Sequence, residues 1–135
     1  MATFQRTKST TWNRTGTFKS TGRGGYSYDV LSDWEKQNKS ALDLINNYAS
    51  RISNGEWLSS DDRAKYKAAI DTYTKTGTSL RNISKKMGQT YTDDEEKSWS
   101  DSLSSLGSHY ADVDKFYGQF ASDKVYGDWK ADEDA

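Results

Sequence analysis

The chain has 135 residues, a formal net charge of −1 and no cysteine, which predicts a single domain without disulfides or thiolate chemistry. Leucine, isoleucine, valine and phenylalanine number only 18, but five tryptophans and nine tyrosines supply apolar surface for a thin aromatic core. No apolar run reaches the roughly 20 residues that cross a bilayer, and the N-terminus lacks an apolar leader stretch. We therefore expect neither a membrane segment nor a secretory signal peptide.

Residues 1–28 differ in composition from the rest of the chain. They are rich in serine, threonine and glycine and contain no acidic residue, but they contain five basic ones: Arg6, Lys8, Arg14, Lys19 and Arg23. This segment carries +5, so residues 29–135 carry −6. Such a composition predicts an extended or flexible basic arm. Threonines that alternate with Phe4, Trp12 and Phe18 leave a β-hairpin as a less favoured alternative.

The first of three helices is predicted at about residues 30–53. Its apolar side chains recur at steps of three and four residues, the period of an amphipathic helix. Ser32 with Glu35 has the spacing of a capping box, and Asp29 is a competing N-cap. Gly55 can adopt the left-handed conformation that ends a helix, so the helix is expected to stop just before it.

The second and third helices are predicted at about 59–87 and 93–121. Hydroxyls and carboxylates at 59–62 mark the start of the second helix, and Gly88 lies just after its predicted end. Residues 92–95 form a capping-box sequence before the third helix. The third helix has the clearest apolar stripe: Trp99, Leu103, Leu106, Tyr110, Val113, Tyr117 and Phe120.

These elements predict an all-α fold, an antiparallel three-helix bundle over residues 29–121, because short connections between long helices favour antiparallel neighbours. Residues 122–135 are predicted to form a short helical extension and then, from 131, an acidic solvated tail. Asn38, Gly77 and Ser84 interrupt the apolar stripes. We interpret them as short residues opposite large aromatic side chains, and a groove for another chain is the alternative.

Few side chains are suited to catalysis or metal binding. His109 is the single histidine of the chain, and we expect it at the surface or at the boundary of the third helix. The acidic runs at 61–62, 93–96 and 132–134 lack the alternating ligands and central glycine of an EF-hand loop. We therefore expect no enzyme, no cofactor, no metal site and no small-molecule substrate.

The basic arm is expected to bind a partner. Arg23-Gly24-Gly25 beside Tyr26 and Tyr28 combines cations with aromatic rings, as in segments that bind single-stranded nucleic acid. Because the remaining residues are acidic overall, docking on an acidic protein surface is the favoured interpretation. Nucleic-acid binding remains an alternative.

Another alternative comes from Tyr110-Ala-Asp-Val-Asp114, which fits the Tyr-x-x-x-Asp/Glu pattern of export signals on small helical-hairpin proteins of specialised bacterial secretion systems. Those proteins resemble two-helix hairpins with Trp-x-Gly at the bend. Here the first loop has the reverse order, Gly55-Glu-Trp57, and three helices are predicted. A secreted helical protein is therefore a secondary hypothesis.

Several short sequences resemble a helical segment of tail tape-measure proteins of phages and prophages of Gram-positive bacteria. They lie at 53–62, 66–73, 79–81, 94–99 and 116–120, within roughly residues 29–130. Tape-measure proteins are usually much longer, so the resemblance implies a small tail or virion protein that shares the module, or a fragment of a longer one.

The resemblance implies a non-enzymatic structural or assembly protein of the virion or the host cytoplasm, whose partners are copies of itself or other tail proteins. Aromatic and basic side chains outside the helical stripes are the predicted partner-binding residues: Arg6, Lys8, Trp12, Arg14, Phe18, Lys19, Arg23 and Trp57. For Trp57 an equal alternative is packing onto the first turn of the second helix.

Overall fold

The computed structural model describes residues 28–86, 88 and 90–134, with side chains described from residue 33 onward except at 87, 89 and 135. Its described residues form α-helices joined by short turns, with no strand. The helices are α1 (Tyr28–Ser53), α2 (Ser60–Lys86), α3 (Asp93–Gly118) and α4 (Asp123–Asp134). The all-α prediction is confirmed for this part of the chain. The predicted arm and its hairpin alternative, up to residue 27, lie outside it.

The turn between α1 and α2 forms as its glycine predicts. Gly55 has a φ of 76°, which is the left-handed conformation. The N–H of Gly55 donates to the carbonyl oxygen of Ile52, and the N–H of Glu56 donates to that of Arg51, both at 3.0 Å. This pair of bonds is the Schellman motif, which satisfies carbonyl groups at the end of a helix.

The predicted capping box at the start of α3 is confirmed. The Thr92 hydroxyl accepts a hydrogen bond from the Glu95 N–H, and the Glu95 carboxylate accepts one from the Thr92 N–H, both at 3.1 Å. Both interactions satisfy N–H groups that have no partner within the helix.

We expect Thr92→Ala to lower the free energy of unfolding by about 1 kcal/mol, the usual cost of losing a side-chain N-cap. Thr92→Ser keeps the acceptor oxygen and is the matched control. Urea unfolding followed by circular dichroism measures both variants. Equal stability of the alanine and serine variants would show that the cap contributes nothing.

The end of α3 differs from the prediction. The helix stops at Gly118 instead of near residue 121, because Ser122 caps a separate helix. The Ser122 hydroxyl accepts from the Val125 N–H at 3.3 Å, and its carbonyl accepts from the Tyr126 N–H at 3.1 Å. The predicted helical extension is therefore α4. It continues through Asp134, so residues 131–134, predicted as a solvated tail, are exposed but helical.

The apolar stripes form the core. The side chains that are less than 2% exposed include Ile45 and Ile52 of α1, Tyr66 and Tyr73 of α2, and Leu106, Val113, Phe116 and Tyr117 of α3. The Tyr48 ring stacks on the Tyr66 ring at 5.3 Å between centroids, which joins α1 to α2. The Tyr73 and Trp99 rings lie 6.0 Å apart and join α2 to α3.

The interruptions of the stripes have structural roles. A Cβ atom at Gly77 would lie 2.6 Å from Cη2 of Trp99, so only glycine leaves room for this indole in its present position. The Asn38 amide is buried and donates to the Tyr73 carbonyl oxygen at 3.2 Å and to the Thr76 hydroxyl at 3.1 Å. The interpretation of Gly77 as a short residue opposite an aromatic ring is thus confirmed.

Candidate partner-binding site

Trp57 is the predicted partner-binding residue that the structure describes. The other seven belong to the N-terminal segment and lie outside the described residues: Arg6, Lys8, Trp12, Arg14, Phe18, Lys19 and Arg23. Their predicted role therefore stays a prediction.

Trp57 lies half-buried in a cluster of aromatic rings. Its ring meets those of Tyr117 and Phe120 edge-on, at 5.6 and 6.2 Å between centroids, and lies 5.4 Å from that of Tyr126. The indole thus packs on the end of α3 and on α4. Edge-on aromatic pairs of this kind add to the stabilisation that burial provides.

Two tyrosine hydroxyls fix the same loop. The Tyr117 hydroxyl donates to the Glu56 carbonyl oxygen at 2.7 Å, and the Tyr126 hydroxyl donates to the Gly55 carbonyl oxygen at 2.5 Å. The α1–α2 loop is therefore held to α3 and α4 by packing and by hydrogen bonds. In this structure Trp57 contributes to that internal joint.

The prediction of a surface or boundary position for His109 is wrong. Its side chain is 1% exposed, and Nε2 lies at hydrogen-bond distance, 2.5 Å, from the hydroxyl of the fully buried Tyr66. Burial also raises the pKa of the Tyr66 phenol. The sequence held a signal for this position, because His109 lies three residues after Leu106 and four before Val113.

A buried cation that the sequence reasoning missed joins the end of α2 to the start of α3. Arg81 is 3% exposed, and its guanidinium carbon lies 4.1 Å from the Tyr91 ring centroid and 5.3 Å from that of Trp99. Its Nη2 lies 3.3 Å from the Glu96 carboxylate, an ion-pair distance without hydrogen-bond geometry. A hydrogen bond from Lys85 is the main cause that lowers the pKa of Glu96.

Tyr110 and Asp114, the ends of the export-like pattern, both contact α2. The Tyr110 ring meets the Tyr66 ring edge-on at 5.9 Å, and Asp114 forms an ion pair with Nε of Arg63 at 3.0 Å. Burial raises the pKa of the Tyr110 phenol, and the charge of Asp114 adds to that effect. Both side chains thus take part in packing between α2 and α3.

The surface has an apolar groove between α1 and α2, with a volume of about 410 Å³. We call it the α1/α2 groove. Six of the residues that line it are Ala41, Leu44, Tyr48, Ala68, Ala69 and Thr72. Leu44 is 48% exposed, although most apolar side chains of its size in the described residues are buried. The groove is therefore a surface that the described part of the chain leaves uncovered.

A second depression, of about 400 Å³, lies between the start of α1 and the end of α2. Its lining is more polar and includes Trp34, Asn82 and Lys86. The Trp34 side chain packs on a small cluster formed by Leu80 and Ile83. This depression is a competing surface for any segment that binds near the start of α1.

Among the residues from 28 to 134 that the structure describes, no group of three acidic, histidine or cysteine side chains comes together as a metal site. In the same residues, no helix combines the length and the apolar character needed to cross a membrane. Comparisons of the chain with protein-family models, with curated proteins and with solved structures find no match.

Proposed function

We propose that this chain is a non-enzymatic structural or assembly protein that acts through protein–protein contacts, and that it is a component of a phage tail or virion, located in the particle or in the host cytoplasm. The sequence resemblance to tape-measure segments supports the phage assignment. The charge distribution, placed on the fold, supports the assembly role. Its partners on this proposal are copies of itself or other tail proteins.

As part of this proposal, α1, α2 and α3 form an antiparallel three-helix bundle that serves as a rigid body. Contacts between neighbouring helices support it. Tyr48, late in α1, meets Tyr66, early in α2, whereas Asn38 binds further along α2. In the same way Arg63, early in α2, pairs with Asp114, late in α3, whereas Tyr73 meets Trp99 near the start of α3.

The observation that carries the assembly role is the separation of charge along α1. The +5 segment joins the body at Tyr28, the first residue of α1. The acidic α4 packs against the loop after the last residue of α1, through Tyr126. A helix of 26 residues is about 39 Å long at 1.5 Å per residue, so the residue at which the basic segment joins the body and the contact made by α4 lie at opposite ends of α1.

Opposite charges at opposite ends favour a contact between the arm of one copy and the acidic end of the next. Complementary charge speeds such an encounter and orients the two partners. A head-to-tail contact uses two different surfaces, so it produces rings when the rotation closes and filaments when it does not. Both are forms that a structural component of a particle uses.

The test is the solution mass by light scattering at low and high salt. We expect the full chain to form a defined oligomer, and we expect deletion of residues 1–27 to give monomers. A full-length variant with Arg6, Lys8, Arg14, Lys19 and Arg23 all changed to Glu should behave as the deletion does, because charge repulsion replaces attraction. High salt should weaken the wild-type oligomer by screening.

If all three proteins are monomers at every concentration, self-assembly is contradicted. Association that survives removal of the arm would favour the secreted helical protein instead. Binding of a single-stranded oligonucleotide by the wild type, lost at high salt and in the charge-reversed variant, would favour the nucleic-acid alternative.

A further inference from the structure

We propose that the α1/α2 groove is the docking site of the N-terminal segment, residues 1–27, and that the side chains of Trp12 and Phe18 are its anchors. This inference rests on the proposed function in one respect, because that function takes the segment from a neighbouring copy. On that function the cations of the segment meet the acidic end of the next copy, and the inference adds the surface that takes its two aromatic side chains.

The shape of the groove indicates an apolar occupant with large side chains. Alanine at positions 41, 68 and 69 leaves a trough where α1 and α2 face each other, and Leu44 and Tyr48 form one wall. The volume of about 410 Å³ falls within the roughly 300–1,000 Å³ of typical ligand sites. Such concave apolar surfaces are where an aromatic anchor of a partner gains most from leaving water.

The N-terminal segment has the matching chemistry. The part of the chain that precedes α1 has 27 residues and ends next to Tyr28. It contains two large apolar side chains, those of Trp12 and Phe18, which lie outside the predicted helical stripes. Arg14 lies between these two residues, and Lys19 directly follows Phe18. On this proposal the two cations lie at the rim of the groove, facing the acidic body, because the floor of the groove is apolar.

The dimensions agree as well. Trp12 and Phe18 are six residues apart, so in an extended strand they point to the same side with about 20 Å between them. The part of α1 that lines the groove, from Gln37 to Tyr48, is about 17 Å long at 1.5 Å per residue. One extended segment can therefore place both aromatic side chains along the same groove.

The segment also has enough length to reach the groove of its own body. Leu44 lies about 24 Å from Tyr28 along α1, and the 16 residues from Trp12 to Tyr28 span up to about 53 Å. A test must therefore identify both the surface that is contacted and the copy to which it belongs.

The experiment replaces Phe18 in the full chain by the photo-crosslinking residue p-benzoylphenylalanine. After irradiation, gel mobility separates crosslinks between chains from those within a chain, and peptide mass spectrometry locates the attachment. We expect attachment within 37–48 or 65–72, in a species of two chains. Attachment to these residues within a single chain would support the groove as the docking site, while contradicting the neighbour contact of the proposed function.

Attachment to α4, attachment to the depression near Trp34, or no attachment at all would overturn the groove proposal, whatever the oligomeric state. A second pair of variants tests the groove directly. Leu44→Lys is expected to reduce the crosslink yield about tenfold, because it removes an apolar side chain from the groove wall and places a cation there beside a basic segment. Ser105→Lys adds the same charge at an exposed position of α3, which does not line the groove, and is expected to leave the yield unchanged. Equal effects of the two variants would overturn the proposal.

Discussion

Tyr66→Ala is expected to lower the free energy of unfolding by about 4 kcal/mol, within the roughly 3–5 kcal/mol that truncation of a large buried aromatic residue costs. Tyr66 is fully buried, and its ring contacts those of Tyr48, His109 and Tyr110. Because a domain is typically stable by about 5–15 kcal/mol, this single change should leave the fold close to its limit. Chemical denaturation of the full chain measures the loss.

Two conservative variants distinguish the contribution of the Tyr66 hydroxyl to stability from that of its ring. Tyr66→Phe removes the hydroxyl that bonds Nε2 of His109, and the loss of a buried partner costs about 1–3 kcal/mol. Tyr73→Phe is the matched control, because Tyr73 is equally buried in α2 and its hydroxyl has no hydrogen-bond partner in the described structure. Tyr73→Phe should leave the free energy of unfolding unchanged or raise it. Equal losses in the two variants would contradict a role for the Tyr66–His109 bond.

The buried phenol of Tyr66 also makes the free energy of unfolding depend on pH, in a direction that burial determines. Burial raises the pKa of Tyr66 in the folded state, so above pH 10 the phenol stays protonated there but ionises in the unfolded chain. Its contribution to stability is complete below the ordinary pKa of about 10 and is lost as the pH rises above it. The stability difference between wild type and Tyr66→Phe should therefore narrow above pH 10. A constant difference would contradict this burial effect.

Phe116→Ala is expected to lower the free energy of unfolding by about 3–5 kcal/mol, and α4 is expected to unfold before the other helices. Phe116 is 1% exposed, and its ring contacts those of Phe120, Tyr126 and Trp129 with centroids between 5.4 and 6.3 Å apart. Two of these rings belong to α4, a helix of 12 residues that is too short to persist without packing.

Hydrogen exchange checks this prediction segment by segment. In Phe116→Ala, amides of residues 123–134 should lose protection at lower denaturant concentrations than those of α2. Phe116→Leu is the matched control, because it keeps most of the apolar volume and should retain protection in α4. Uniform loss of protection across α1, α2, α3 and α4 would mean that α4 does not unfold separately.

The internal joint at Trp57 bears on the proposed head-to-tail assembly. Trp57 contacts Tyr126, and the Tyr126 hydroxyl binds the loop at Gly55, so α4 is held where α1 ends. The acidic residues of α4 are thereby fixed at a set distance from the start of α1. On the proposed head-to-tail contact, this joint keeps the acidic end in position for the arm of the next copy.

Local chemistry determined the helices and most of their ends. The three- and four-residue spacing of apolar side chains predicted α1, α2 and α3, because that spacing places them on one face of a helix. The capping box at Thr92 and the positive φ of Gly55 formed as predicted, since both depend on groups within a few residues. Helix end signals of this kind can be recognised before any packing is known.

Packing between helices decided what the sequence left open. His109 was expected near the surface because a lone polar side chain is usually solvated, but the Tyr66 hydroxyl, 43 residues away, allows it to be buried. Arg81 is buried between rings that come from another part of the chain. The helical start at Ser122 ends α3 early, and the packing of Tyr126 and Trp129 places α4 against the body.

The sequence by itself thus determined that the described part of the chain is helical, roughly where α1 and α2 begin and end and where α3 begins, and that the charge of the first residues opposes that of the rest. Only the tertiary structure decided which polar side chains are buried, where Trp57 packs and which surface between α1 and α2 remains open. The physical reason is the sequence distance over which each kind of interaction acts. Helix periodicity and caps act over a few residues, whereas burial and surface shape depend on side chains that approach from distant parts of the chain.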